Sequence, residues 1–213
     1  MSQKEALNSN ANERLLEAAG KLFAQKGFSK TSVREICQAS NVNVASVNYY
    51  FQNKENLYFE VVKHWVTVAF EKYPLDYAAN EANPPEKRLK SFIQCQLMHT
   101  LYQVECPWFG ALMSRESLEP TRAIRELTEN CLGPSIDLLL AIVRQIMGRS
   151  VSEDAIRAHC ASILGQCTFY HYSPSIIRQD FLPEKCDIDQ INLIAEHIYS
   201  FSMLALRGYQ QST

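Results

Sequence analysis

Helical periodicity runs almost unbroken through this chain and leaves little room for another architecture. It begins with Leu15, Ala18, Ala19, Leu22 and Phe23, whose three- and four-residue spacing places them on one face of a helix. No Asn-Gly or Asp-Gly turn and no strong strand pattern suggests a hairpin. Of 213 residues, 46% are hydrophobic and 21% charged, enough for a packed core and too apolar for disorder. The expectation is an all-α fold of about nine helices.

Punctuating residues divide the pattern. Residues 1–10 read as a disordered polar tail. Gly27 ends the first helix, with Phe28 set to fold back on it. Ser32 and Glu35 make a capping box for a short second helix. A tight turn at 39–42 follows, and Asn43 caps a third helix over 44–50. Asn53 caps a fourth over 54–73, and three prolines mark 74–85 as a loop. Further helices are predicted over 86–105, from Pro107 to Glu116, and from Pro120 to Met147 with a kink at Gly133-Pro134. The last two span 152–171 and 187–208, the second opened by an Asp187/Gln190 capping box. The domain division predicted is 11–57 and 58–213, with helix 54–73 as the connection.

Segment 31–54, TSVREICQASNVNVASVNYYFQNK, has the form of a helix-turn-helix: two short helices and a tight turn. In such a unit the second helix enters the DNA major groove. The outward positions Asn43, Ala45, Ser46, Asn48 and Tyr49 are small or polar. Asn48 could read an adenine edge and Ala45 a thymine methyl. Val42, Val47 and Phe51 face inward, while Tyr50 and Lys54 can reach phosphates. Amides at the starts of the second and fourth helices, beside Ser32 and Asn53, can do the same. The alternative reading is a helical hairpin with a polar surface. Charge leans the same way as the motif. The net charge is -2, yet residues 1–55 hold seven Lys/Arg against five Glu, leaving -4 for the rest.

This segment resembles the DNA-binding domain of the TetR family of one-component regulators. The likeness runs from about Arg14 to Trp65 through E-R-L-L-E-A-A-G-K-L-F-A-Q-K-G-F, T-S-V-R-E-I and N-V-N-V-A-S-V-N-Y-Y-F-Q-N-K-E-N-L. Its F-x-x-K-E-x-L ending, here Phe51, Lys54, Glu55 and Leu57, is among the family's more specific features. The resemblance implies an N-terminal three-helix DNA-binding domain and a helical C-terminal ligand-binding and dimerisation domain. It implies that Arg34 reaches a base or phosphate, that Val44, Ala45, Ser46, Asn48 and Tyr49 face the groove, and that Tyr50 and Lys54 hold the backbone. Two departures stand out. Asn41 replaces a common Gly, and Asn tolerates the left-handed conformation needed there. Asn48 replaces a common aromatic, so the operator sequence is not legible.

The segment SRESLEPT at 114–121 resembles an S-R-E-x-L-x-P-T pattern in a subgroup of proteobacterial TetR-like regulators, some of which respond to antibiotics and act on export genes. The family's dimers use the last two long helices. The candidate face here is Ile163, Cys167, Ile191, Ile194, Ala195, Ile198, Phe201, Ser202 and Ala205. The same stripe could instead pack within the monomer. A mostly apolar effector pocket is expected among Phe92, Leu97, Met98, Leu101, Trp108, Phe109, Leu112, Met113, Phe169, Tyr170 and Tyr172, although each could equally be core. Arg115 and Glu116 could orient a polar ligand or pair with each other, and His99 and His171 could donate to a ligand. The implied partners are a palindromic double-stranded operator, a small-molecule effector and a second copy of the chain. The implied mechanism is repression, relieved when the effector shifts helix 54–73.

Other classes find less support. There is no Gly-rich phosphate loop and no nucleophile elbow, so neither an enzyme nor a cofactor is expected. His159 and Cys160 are adjacent in a helix and diverge, whereas Cys167 and His171 could face each other. The alternative function is a metal- or thiol-responsive DNA-binding sensor using Cys95, His99 and Cys106. No apolar leader, no 18-residue apolar run and seven cysteines point to a cytoplasmic protein with free thiols and no membrane partner.

Overall fold

The computed structural model describes residues 3–101, 108–118, 120–148, 150–172, 181 and 186–212, and no strand occurs among them. The helices are α1 (Gln3–Lys26), α2 (Val33–Ser40), α3 (Val44–Phe51), α4 (Lys54–Lys72), α5 (Asp76–Ala79), α6 (Pro85–Leu101), α7 (Phe109–Leu118), α8 (Arg122–Leu127), α9 (Gly133–Met147), α10 (Glu153–Tyr172) and α11 (Ile188–Ser212), with a π-helical turn at Thr128–Leu132. The chain forms two compact units that do not follow chain order: 1–68 with 104–128, and 69–103 with 129–213.

Three elements differ from expectation. Helix α1 already begins at Gln3, because residues 3–10 are rich in helix formers and hold no Gly or Pro to stop it. The four-residue α5 lies inside the expected loop. The long helix predicted over 120–147 is helical without a gap from Arg122 to Met147, but it carries a π-helical turn at Thr128–Leu132 just ahead of the expected kink at Gly133-Pro134. Pro134 cannot donate and would clash with a carbonyl one turn earlier. The π-helical turn immediately before Pro134 shifts the hydrogen-bond register there and accommodates the missing donor.

In the first unit, α1 packs against α2 and α7, and α2 against α3. Leu15, Ala19, Phe23, Ile36, Val47, Leu57, Val61 and Val62 are fully buried, at about 1.5–3 kcal/mol for each large side chain. Gly27 ends α1 at φ 81°, its N–H donating to Phe23 O at 2.8 Å. Phe28 returns to Phe23, and Tyr58 meets both rings edge-on at 4.8 and 5.2 Å. The Ser32/Glu35 capping box is present in both directions. Asn41 closes α2 at φ 53°, and Val42 N–H reaches back to Cys37 O at 3.0 Å. The Trp108 ring, in the turn just ahead of α7, comes so close to α1 that a Cβ on Gly20 would lie 1.9 Å from it.

The second unit packs α6, α9, α10 and α11 around Leu89, Phe92, Ile93, Leu97, Leu139, Ile142, Cys167, Ile191 and Ile198. Arg88 is its unusual member at 1% exposure. Its Nε donates to Ala78 O at 2.7 Å and its Nη1 to Gln145 Oε1 at 2.8 Å, tying α5 and α6 to α9. The Asp187/Gln190 capping box is formed at the start of α11, with bonds of 3.0 and 2.9 Å.

Candidate nucleic-acid interface

Helix α3 is fixed at its start and held from beneath. Asn43 Oδ1 accepts from Ala45 N–H at 3.0 Å, and Val47 and Phe51 are buried. Val44, Ala45, Asn48 and Tyr49 remain exposed, Tyr49 to 77%. Ser46 and Tyr50 are half-buried, with the Tyr50 ring edge-on to Tyr49 at 5.0 Å. Arg34 stands exposed on α2. This is a short helix whose exposed side chains are the right size and chemistry to approach base edges.

Three of the expected DNA contacts have structural duties. The Ser32 hydroxyl accepts from Glu35 N–H at 3.2 Å and donates to Glu35 Oε2 at 2.8 Å. Lys26 at 2.8 Å and Ser32 together hold the Glu35 carboxyl down to about 2. The Asn43 side-chain oxygen is taken by the cap. Lys54 has the most extensive such duty. Its ammonium donates to Phe28 O at 3.0 Å and Thr31 O at 3.1 Å and sits 4.3 Å over the Phe28 ring. The lysine of the F-x-x-K-E-x-L pattern thus clamps α4 to the α1–α2 loop, with two of its three donors taken by loop carbonyls.

Sequence reasoning missed a buried polar cluster in the same unit. Arg115 and Glu116 do not pair with each other. Arg115 Nε donates to Ala24 O at 2.9 Å and Nη2 to Gln25 O at 3.1 Å, at the end of α1. Glu116 is buried and accepts from Tyr58 O–H, from Thr121 N–H at 3.1 Å and from the Thr121 hydroxyl at 3.0 Å. Burial, and then the Glu116 carboxylate beside it, push the Tyr58 hydroxyl well above its ordinary range. A pocket of about 230 Å³ opens beside this cluster, lined by Phe28, Glu55, Asn56, Tyr58, Phe59, Thr121, Arg122 and Ala123.

The residues expected to line an effector pocket are divided. Trp108, Phe109, Leu112, Met113 and Arg115 belong to the first unit, and Phe92, Leu97, Met98, Leu101, Phe169, Tyr170 and Tyr172 to the second. Phe92 and Leu97 are fully buried core, and Phe169 is an exposed side chain rather than a cavity wall. The side chains of Tyr172 and His171 lie outside the described residues. His99 is engaged within the second unit. Its Nε2 donates to Tyr73 O at 2.7 Å and its ring stacks on Phe70 at 4.4 Å. Its Nδ1 is buried with no partner.

Burial lowers the His99 pKa, with the Tyr73 carbonyl opposing. Between the ordinary 6.5 and the lower folded value, the unfolded chain binds more protons, so stability falls as the pH drops. We expect the wild type to lose more thermal stability than His99→Gln between about pH 7.5 and 5.5. Equal losses would show that the ring is solvated.

The sensor residues fare less well. Cys95 points its thiol at Pro74 O, Cys106 lies outside the described residues, and no metal-competent cluster of three occurs among those described. Burial pushes the Cys160 thiol up to about 11 and Cys167 up to about 12, which suppresses the reactive thiolate.

The expected dimer face also needs correction. Ile163, Cys167, Ile191, Ala195, Ile198 and Ser202 are buried inside the second unit, and Ile194 is partly buried there. Phe201 and Ala205 do face outward. The outer stripe of α11 is instead Leu193, His197, Phe201, Leu204 and Gly208, with Leu193 72%, Phe201 57% and Leu204 75% exposed. On α10, Ala161, Gly165 and Phe169 are likewise exposed.

A capped, solvent-facing second helix of a helix-turn-helix, in a chain that also carries a second all-helical unit, defines a helix-turn-helix DNA-binding regulator. The description "Bacterial regulatory proteins, tetR family" matches residues 15–61, and "HTH-type transcriptional dual regulator CecR, C-terminal domain" matches 85–206. The chain therefore belongs to the TetR family of transcriptional regulators, with a C-terminal domain of the CecR type. It is 24% identical over 213 aligned positions to the transcriptional repressor NicS of Pseudomonas putida, covering 93% of this chain and 92% of that protein. It is 44% identical over 64 residues to the probable regulator YttP of Bacillus subtilis, covering 30% of this chain and only 29% of that protein. The crystal structure of AibR in complex with isovaleryl coenzyme A and operator DNA shares the fold, with a TM-score of 0.66 at 20% identity over 90% of this chain and 97% of that one. No described helix is long and apolar enough to cross a membrane.

Proposed function

We propose that this regulator is a homodimeric repressor that binds a palindromic operator through α3 and leaves it when a small, mostly apolar effector binds. The observation that carries the reading is α3 itself, anchored by Val47 and Phe51 and presenting Val44, Ala45, Asn48 and Tyr49 to solvent. The same fold carries operator DNA and an acyl-coenzyme A in AibR, and NicS is a repressor, both of which support it. Two copies pair through the outer stripes of α10 and α11, setting two α3 helices about one DNA turn, roughly 34–36 Å, apart. The DNA-binding domain ends at 57/58, one turn into α4, and the rest of α4 connects it to the ligand-binding domain. In the body, the orphan Nδ1 of His99 takes a hydrogen bond from an effector hydroxyl or amine. The effector acts only through its differential affinity for the two states, shifting α4 so that the two heads no longer match successive grooves.

The test is selection of bound fragments from the source genome at fixed salt, followed by sequencing. One palindromic site beside a promoter is the expected result. Asn48→Ala and Tyr49→Ala should each weaken binding to that site by roughly tenfold or more, with smaller effects on unrelated DNA. Recovery of no preferred sequence by the ligand-free protein would end the repressor reading.

A further inference from the structure

The S-R-E-x-L-x-P-T segment is used neither by the exposed face of α3 nor by the apolar core, yet its Arg115 and Glu116 are both engaged. Arg115 donates to Ala24 O and Gln25 O, carbonyls that the last turn of α1 leaves without helical partners. Its positive charge also lies at the negative end of that helix. Glu116, at 1% exposure, draws its described donors from two elements, Tyr58 of α4 and Thr121 at the start of α8. Both carboxylate oxygens are occupied. A buried carboxylate with no cation is tolerated only while such donors remain in place.

Tyr58 links this cluster to the rest of the head. Its ring packs edge-on against Phe23 and Phe28. One turn earlier on α4, Lys54 holds the Phe28 and Thr31 carbonyls, and Thr31 leads directly into α2 and then α3. On the other side, α8 runs through the π-helical turn at Thr128–Leu132 into α9. Wide turns of this kind often mark functional positions.

We propose that Arg115, Glu116 and Thr121 form a latch and that Glu116 is a positioning residue for DNA binding, fixing the seat of α1 and α4 and through them the presentation of α3. The proposal rests on the DNA-binding reading above. When Thr121 is drawn from Glu116, the carboxylate loses its N–H donor, the Tyr58 bond weakens, and α4 loosens.

The experiment uses the full chain as Glu116→Ala, Glu116→Gln, Tyr58→Phe and the double variant Tyr58→Phe/Glu116→Ala. Three quantities are read: affinity for the DNA fragment recovered by genomic selection at about 20 °C, thermal unfolding, and hydrogen exchange of the α3 amides. Glu116→Ala should weaken binding more than about tenfold at a temperature where it is folded. Glu116→Gln should restore much of the loss, because its amide oxygen still accepts one bond. The double variant should be no worse than Glu116→Ala, and α3 exchange should rise by about tenfold. A lower melting temperature with wild-type affinity and wild-type α3 exchange would overturn the latch. If Glu116→Ala fails to fold, Tyr58→Phe, which removes one hydroxyl, makes the same comparison. If selection recovers no DNA, the exchange measurement decides alone: faster α3 exchange supports the latch and unchanged exchange rejects it.

Discussion

Leu204→Asp is expected to yield a monomer and to weaken operator binding by about a hundredfold or more. Leu204 is 75% exposed, on the same stripe as Leu193 and Phe201, so its replacement costs the monomer core little. In a two-fold dimer each such side chain is buried twice, at about 1.5–3 kcal/mol per burial. An aspartate there would be buried twice without a partner, which reverses the sign of the contribution. A monomer keeps its contacts to one half-site but loses the linkage that makes the second contact intramolecular. Sedimentation and operator titration on the same sample test both halves. A variant that sediments as a dimer would move the interface elsewhere. A monomer that binds at full strength would remove dimerisation from the mechanism.

Arg88→Ala should cost about 3 kcal/mol and lower the melting temperature by roughly 6–12 °C. Arg88 is buried and has no carboxylate partner among the described residues. Its two bonds satisfy the Ala78 carbonyl and reach Gln145, joining elements far apart in the chain. Alanine leaves that carbonyl without its donor and a void where the stem packed. Arg88→Met keeps much of the stem volume and should lose less. Thermal unfolding of the two variants separates the contributions. Wild-type stability in Arg88→Ala would show that water replaces the guanidinium at no cost.

How far the sequence could be read depended on the range of the interaction. The capping boxes at Ser32/Glu35 and Asp187/Gln190 formed as the spacing predicts, because each is complete within four residues. The left-handed Asn41, the Gly27 stop with Phe28 folded back, and the inward Val47 and Phe51 were legible for the same reason. The apolar pattern on α11 was legible as a pattern but not as an assignment. That helix carries two stripes, and only packing determined that Ile191, Ala195 and Ile198 go to the core while Leu193, Phe201 and Leu204 stay outside.

Charged side chains show the same limit. The sequence placed Lys54 near a phosphate and Arg115 near Glu116. Two loop carbonyls claim Lys54, the end of α1 claims Arg115, and Tyr58 with Thr121 claims Glu116. These partners lie between 5 and 91 residues away, and a lysine or arginine stem reaches whichever acceptor the fold presents. The sequence by itself therefore determined an all-helical chain, the caps and turn of its helix-turn-helix, and the composition of α3. The tertiary structure decided which apolar stripe is buried, which carbonyls the buried cations hold, and that α7 and α8 belong with the head. Local hydrogen bonds and helical periodicity are written in adjacent residues, whereas the choice among distant partners is made only when the surfaces meet and water leaves.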